Sequence, residues 1–156
     1  MSEKIILDAC CGSKMMWFQK QNKNVVYGDK RNEKHILCDG RSLEISPDIE
    51  IDFTKMPFKN NTFWLVVFDP PHLKKLGKNS WMAKKYGVLS ENWQKDIKNG
   101  FDECMRVLKP NGTLIFKWNE NQIPVKKIIE IIKTTPLFGH PTRHSKTIWM
   151  TFLKTK

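Results

Sequence analysis

No apolar run in this sequence approaches the roughly 18 residues that a membrane-spanning helix requires, so no spanning segment and no membrane partner are expected. The four cysteines, Cys10, Cys11, Cys38 and Cys104, include no C-x-x-C pair. The spacing of a zinc site or a redox dithiol is therefore missing, and no metal centre is expected. Adjacent cysteines such as Cys10 and Cys11 rarely bridge each other. Unpaired thiols in a reducing compartment, and hence a cytoplasmic protein, are the expectation. Met1-Ser2-Glu3-Lys4 leads straight into a strand-like run, without the pattern of a secretory signal. There is no internal repeat, low-complexity segment or linker. Two nucleotide signatures are also missing, G-x-G-x-x-G and G-x-x-x-x-G-K-[ST]. Their absence disfavours dinucleotide binding and a phosphate-cradling loop.

What remains is a chain of 156 residues, 40% hydrophobic and 28% charged, which fits one domain, residues 1–156, able to bury its own core. Its net charge of +11 is unevenly placed. Residues 1–70 hold 10 Lys+Arg and 10 Asp+Glu, whereas residues 71–156 hold 17 and 6. A basic half points first to a polyanionic partner, nucleic acid above all. A solubility charge is the plainer alternative.

Short apolar runs alternate with amphipathic stretches. Strands are predicted at Lys4–Asp8, Val25–Asp29, His35–Cys38, Ile49–Asp52, Phe63–Asp69, Thr113–Trp118 and Thr147–Leu153. The Phe63–Phe68 run is nearly all apolar, as in a strand buried on both faces of a parallel sheet. One helix is predicted over Ser13–Gln21. A second begins at Ser90 and carries a stripe of Trp93, Ile97, Phe101, Cys104, Met105 and Leu108. A third runs from Pro124, suited to a first helical turn, to Pro136. Asp39–Asp48 is weakly patterned, with room for a helical turn. Pro110-Asn111-Gly112 ends the second helix. This alternation predicts an α/β domain with a mainly parallel sheet, and a hairpin of strands around Gly139–Arg143 and 147–153 at one edge.

Three constellations carry chemistry. In the first, a strand ends at Asp8 and turns through Ala9-Cys10-Cys11-Gly12-Ser13, while Asp29 closes the next strand. Ligands of open α/β sheets bind outside the carboxyl ends of strands. Small residues let the backbone approach a ligand, and Asp29 stands about where nucleotide-binding folds place a ribose-binding acid. Asp8 and Asp29 can equally be strand-end caps. The second is Asp69-Pro70-Pro71-His72, directly after the most apolar strand. Paired prolines fix φ and remove two donors, giving a rigid turn. The Asp69 carboxylate and the Pro70 carbonyl can both accept hydrogen bonds from one exocyclic amino group, and His72 can stack on a base. The third is the basic loop 73–90, where Lys74, Lys75, Lys78, Lys84 and Lys85 interleave with Trp81, Met82 and Tyr86, and Gly77 and Gly87 allow mobility. Aromatics among cations suit a mobile target-binding loop or lid. A solvated loop whose rings pack back on the domain is the alternative. Lys117, Trp118, Arg143, His144 and Lys146 extend this positive surface in the sequence reading.

Asp69-Pro70-Pro71-His72 resembles the [Asp/Asn/Ser]-Pro-Pro-[aromatic] motif of S-adenosylmethionine-dependent methyltransferases acting on amino groups of nucleic-acid bases. Leu7–Ser13 is similar to their cofactor turn. Ile51-Asp52-Phe53 with Met56-Pro57-Phe58 and Asn61-Thr62-Phe63 is similar to their adenine-contacting stretch, and Arg106–Leu114 to a stretch common in class I methyltransferases. The resemblance covers about residues 4–154. It implies a single Rossmann-like methyltransferase domain, a mainly parallel seven-stranded sheet with a C-terminal antiparallel hairpin and helices on both faces. It divides the chain into a cofactor half, about 1–69, and a target-side half, about 70–156. The implied cofactor is S-adenosyl-L-methionine, released as S-adenosyl-L-homocysteine.

By the same resemblance, Asp8, Ala9, Cys10 and Gly12 hold the methionine portion and Asp29 the ribose. Asp52 and the Phe53 backbone read the adenine. Asp69 and Pro70, on the rigid turn with Pro71, hold the target amine beside the cofactor, and His72 stacks on the base. Lys74, Lys75, Trp81, Lys84, Lys85, Tyr86 and Lys117 are the expected substrate contacts. Two departures stand out: Lys14 replaces a usual glycine, and His72 replaces the commoner Tyr, Phe or Trp. A neutral His72 is expected, since its cation would repel the sulfonium. The expected reaction is methylation of an exocyclic base nitrogen, adenine N6 of DNA first and an RNA base next. The chain has no room for a separate recognition domain, so relaxed DNA specificity, an RNA or structured target, or a protein partner or homodimer that supplies recognition is expected. Two further readings stand beside it: methylation of a protein or small-molecule amine, and a catalytically weak methyltransferase-like subunit that binds nucleic acid or a partner.

Overall fold

The structure, a computed structural model, describes residues 4–77, 80–140 and 145–156. Lys78, Arg143 and His144 lie outside them, as does the predicted strand beyond His140. The elements are β1 (Ile6–Asp8), β2 (Val25–Asp29), β3 (Glu33–Ile36), β4 (Ser42–Ile45), β5 (Ile49–Glu50), β6 (Phe63–Phe68), α1 (Trp81–Tyr86), α2 (Trp93–Val107), β7 (Leu108–Asn119), α3 (Val125–Ile132), β8 (Phe138–His140) and β9 (Thr147–Leu153). No helix among the described residues is long and apolar enough to cross a membrane.

Seven strands form one sheet in the order β5-β2-β1-β6-β7-β9-β8. The first five pair parallel, and β9 runs antiparallel to both β7 and β8. The order reverses between β1 and β6, so their carboxyl ends flank the crevice where open α/β sheets bind ligands. This is the sheet that the strand pattern predicts, including its antiparallel end, except that the strand expected at His35–Cys38 forms at Glu33–Ile36 and lies outside it.

The helices are distributed differently. Val66 and Phe68 of β6, Leu114 and Phe116 of β7 and Phe152 of β9 pack with Ile97, Phe101 and Cys104 of α2 and Ile128 and Ile132 of α3 in one core. Both longer helices therefore cover the same face. The helix expected over Ser13–Gln21 does not form. Gly12 and Lys14 take φ of 49° and 57°, a left-handed conformation that no right-handed helix continues through. The segment makes single turns instead, with Lys14 N–H donating to the Cys11 carbonyl at 2.8 Å and Trp17 N–H to that of Lys14 at 3.2 Å. Its Trp17 ring meets Tyr27 edge-on at 5.4 Å, forming a small second cluster with Cys11 and Val25.

Nor is Asp39–Asp48 a helical turn. It contains β4, which pairs antiparallel with β3 as a separate two-stranded ribbon. Leu43 and Ile45 are buried there and their neighbours exposed, the period-two signature of a strand.

The helix predicted from Ser90 starts at Trp93. Ser90 Oγ accepts from Asn92 N–H at 3.1 Å and donates to Asp96 at 2.6 Å, organising the entry just before it. In the last turn of α2, the Arg106 guanidinium donates to the carbonyls of Phe58 at 2.8 Å and Met56 at 3.1 Å, and pairs with Glu103. Glu103 in turn accepts from Met56 N–H at 2.6 Å. This clamp anchors the segment that follows Phe53.

Candidate active site

β6 ends at Phe68 and the chain turns at once through Asp69-Pro70-Pro71-His72. The register pairs Phe68 with Phe116, which sets Lys117 of β7 beside Asp69. Lys117 Nζ lies 2.8 Å from Asp69 Oδ2, with each side chain about a quarter exposed. Burial raises the Asp69 carboxyl above its ordinary range, and the Lys117 ammonium opposes that rise. Lys117, read from sequence as a substrate contact, is thus bound to the central acid. His72 sits between the rings of Tyr86 at 5.6 Å and Trp118 at 6.3 Å. Burial, and after it the Lys117 charge, lowers its pKa, so the imidazole is neutral near pH 7.

A cavity of about 450 Å³ opens at this edge. Ala9, Cys10, Gly12, Asp29, Asp52 and Phe53 line it together with Asp69, Pro70, Pro71, His72, Lys85, Tyr86 and Lys117. The two halves of the sequence reading therefore meet in one space. Asp8 does not line it. Its fully buried carboxylate accepts the Trp17 indole N–H at 2.6 Å and the Cys10 N–H at 3.2 Å. Burial raises its pKa to about 7 despite those bonds. Asp8 is a post under the turn, behind the residues that line the cavity. Burial also pushes the Cys10 thiol well up, so it stays protonated.

Asp29 stands at the cavity wall. Its oxygens accept from Gly12 N–H at 2.8 Å, Arg31 N–H at 2.9 Å and Arg31 Nε at 3.3 Å. Arg31 was not singled out from sequence. It lines the cavity and also donates through Nη1 to the Lys84 carbonyl at 2.8 Å. A cation two residues after a strand-end acid was the available signal. Asp52 accepts from Thr54 Oγ1 at 2.6 Å and Thr54 N–H at 2.9 Å, and faces Lys30 at 3.2 Å. The Thr54 hydroxyl bond, foremost, lowers its pKa. The Phe53 ring meets Phe68 edge-on at 5.3 Å. Gly100 of α2 allows this, since a Cβ there would lie 2.5 Å from Phe53 Cδ2.

The loop predicted over 73–90 contains α1. Ser80 Oγ accepts from Met82 N–H at 3.2 Å, and Gly87 ends the helix at φ 74°. Lys85 and Tyr86 reach the cavity, whereas Lys74, Lys75, Trp81 and Lys84 do not line it. The Lys74 and Lys75 backbones donate to Gln122 Oε1 at 2.6 and 3.3 Å, and Lys74 Nζ lies 4.7 Å over Trp93. Trp81 is 45% exposed, with Lys85 Nζ 5.5 Å over its ring. Trp118 is fully buried and donates its indole N–H to the Ile123 carbonyl at 2.9 Å. It belongs to the core, not to the positive surface expected of it. Lys146 is exposed.

No family model matches the chain, and no curated protein does. Solved structures do match in fold. A TehB-like SAM-dependent methyltransferase from Corynebacterium glutamicum aligns at TM-score 0.61 and 15% identity, over 97% of this chain and 80% of that one. A SAM-dependent methyltransferase from Methanosarcina mazei aligns at TM-score 0.57 and 12% identity, over 99% and 94%. A methyltransferase from Haloferax volcanii, solved in complex with the Trm112 methyltransferase activator, aligns at TM-score 0.55 and 11% identity, over 99% and 84%. The chain shares the class I methyltransferase fold with them.

Proposed function

We propose that this chain transfers a methyl group from S-adenosyl-L-methionine to an exocyclic amino nitrogen of a nucleic-acid base, with adenine N6 of DNA the first substrate to test and an RNA base the second. One observation carries the reading. One cavity is lined both by Asp29, Asp52 and Phe53 and by the Asp69-Pro70-Pro71-His72 turn. Its volume suits a ligand of nucleoside size, and its acids and aromatic ring suit a cationic, adenosine-bearing one. The cofactor supplies an electrophilic methyl on a sulfonium.

In this reading Asp29 and Asp52 bind the ribose and adenine side, while the turn from Ala9 to Gly12 offers its backbone to the methionine portion. Asp69 and the Pro70 carbonyl accept the two N–H bonds of the target amine, which directs its lone pair at the methyl. The new N–C bond forms as the C–S bond breaks, with its electron pair staying on sulfur. The extra proton leaves the nitrogen to water past Asp69. Holding the three atoms in line provides most of the acceleration. His72 and Tyr86, whose rings meet at 5.6 Å, form one aromatic wall beside the base, and a neutral His72 does not repel the sulfonium. The surplus of basic residues after Pro70 supports a polyanionic substrate. A protein partner that completes recognition, as the activator joins the Haloferax enzyme, is part of the proposal, as is a homodimer.

The test is labelled S-adenosylmethionine incubated with DNA and RNA in parallel, followed by identification of the modified nucleoside. Asp69→Ala should abolish transfer while calorimetry still detects cofactor binding. Normal turnover in that variant would remove Asp69 from the mechanism.

A further inference from the structure

The sheet face opposite α2 and α3 is incompletely covered between β6 and β8. Phe63 and Val66 both lie in the core, and the register shifts between Phe63 and Leu65. The resulting bulge turns both Trp64 and Leu65 outward. Ile115 and Lys117 of β7 and Trp149, Thr151 and Leu153 of β9 alternate with core residues on that same face, and Phe138 pairs with Thr151. Trp64 is 48% exposed, Phe138 65% and Trp149 37%.

We propose that this face is a stacking platform for single-stranded DNA flanking the target base; the inference rests on the nucleic-acid reading above. Charge decides the occupant. Lys109 Nζ lies 5.0 Å over Trp64, and Lys117 Nζ lies 5.7 Å over Trp149. Lys117 also pairs with Asp69 at the end of β6, whereas the face beside Trp64 carries the Lys109 ammonium. Exposed rings with lysines beside them match bases joined by phosphates. Phe138 and Trp149 are diagonal neighbours, about 7–8 Å apart at Cα, which successive bases of an extended strand span. Continuity with the cavity comes from Lys117, which pairs with Asp69 at 2.8 Å and lies 5.7 Å over Trp149. A strand lying across Phe138 and Trp149 runs directly to the acceptor turn.

The test is fluorescence anisotropy of a labelled oligothymidine about a dozen nucleotides long, with an oligouridine in parallel and without S-adenosylmethionine. Trp149→Ala and Phe138→Ala should each weaken binding of the DNA oligomer about tenfold, and Trp149→Phe should retain most of it, with unchanged melting temperatures. Unchanged binding in both alanine variants overturns the platform and leaves the base-methylation reading standing. A parent that binds S-adenosylmethionine but neither oligomer overturns the platform and the nucleic-acid reading together. Tighter binding of oligouridine overturns DNA as the occupant. A parent that sediments as a dimer, and as a monomer once Trp149→Ala is introduced, overturns the platform in favour of a second copy.

Discussion

Asp8→Asn probes the most deeply buried acid of the site. The Asp8 side chain has no exposed surface, and its pKa rises from 3.8 to about 7, chiefly through burial. Folding therefore favours its protonated form. Between pH 4 and 7 the folded state holds a proton that the unfolded state has released, so stability falls as pH rises. Below pH 4 the burial of Asp8 costs nothing in ionisation. Above pH 7 the full cost applies, about 3 pH units at 1.36 kcal/mol each, or about 4 kcal/mol. That is a large share of the roughly 5–15 kcal/mol by which domains are stable. Asparagine keeps an oxygen for the Trp17 indole N–H and never ionises. Urea unfolding at several pH values should show the variant close to the parent near pH 4 and more stable by about 4 kcal/mol at pH 8. Taking the difference at each pH cancels the opposite contributions of Asp48, Asp52 and Glu103, whose lowered pKa values remove stability under acid. A pH-independent difference, or a variant weaker at pH 8, would refute the buried-acid argument.

Other expectations concern activity and ligand binding. Removing the ammonium in Lys117→Met should drive the Asp69 carboxyl further up, since that charge is what opposes its burial; the acid limb of the pH–rate profile should move to higher pH, and an unmoved limb would show that ionised Asp69 is not required. Gly100→Ala places a Cβ 2.5 Å from Phe53 and 2.7 Å from Phe68, which should cost about 1–3 kcal/mol in thermal unfolding and weaken S-adenosylmethionine binding by calorimetry through displacement of Phe53. Alanines at Lys74, Lys75, Lys84 and Lys85 should weaken nucleic-acid binding and flatten its salt dependence; an unchanged salt slope would place the phosphate contacts on the outer sheet face instead.

The strands were legible because their signals are local. The Phe63–Phe68 run and the Thr147–Leu153 run carry enough apolar and β-branched residues to specify themselves, and the carboxyl-edge turns follow from the proline pair and the small residues after Asp8. Three features were not local. The helix expected over Ser13–Gln21 had a plausible stripe, but lysine stands at the left-handed position 14, where a glycine would have marked the break and only the resemblance hinted at one. Ser42–Ile45 is only four residues long, too short for its alternation to stand out. The pairing of Lys117 with Asp69 depends on the register of β6 against β7, which spans 48 positions and leaves no trace in composition. Asp8 shows the same limit. Its place at a strand end was readable, but the inward turn of its carboxylate toward Trp17 was not.

Asp29 has a further consequence when its lone pairs are counted. A carboxylate offers about four acceptor positions, and three are taken by Gly12 N–H, Arg31 N–H and Arg31 Nε. One vicinal hydroxyl can join without disturbance, but a diol that claims both oxygens must displace the Arg31 side chain. That guanidinium also holds the Lys84 carbonyl in α1, so its release loosens the helix that brings Lys85 and Tyr86 to the cavity. Occupancy on one side and the position of α1 on the other are then linked by a coupling free energy. By reciprocity, whatever fixes α1 against the site must change affinity at Asp29 by the same factor.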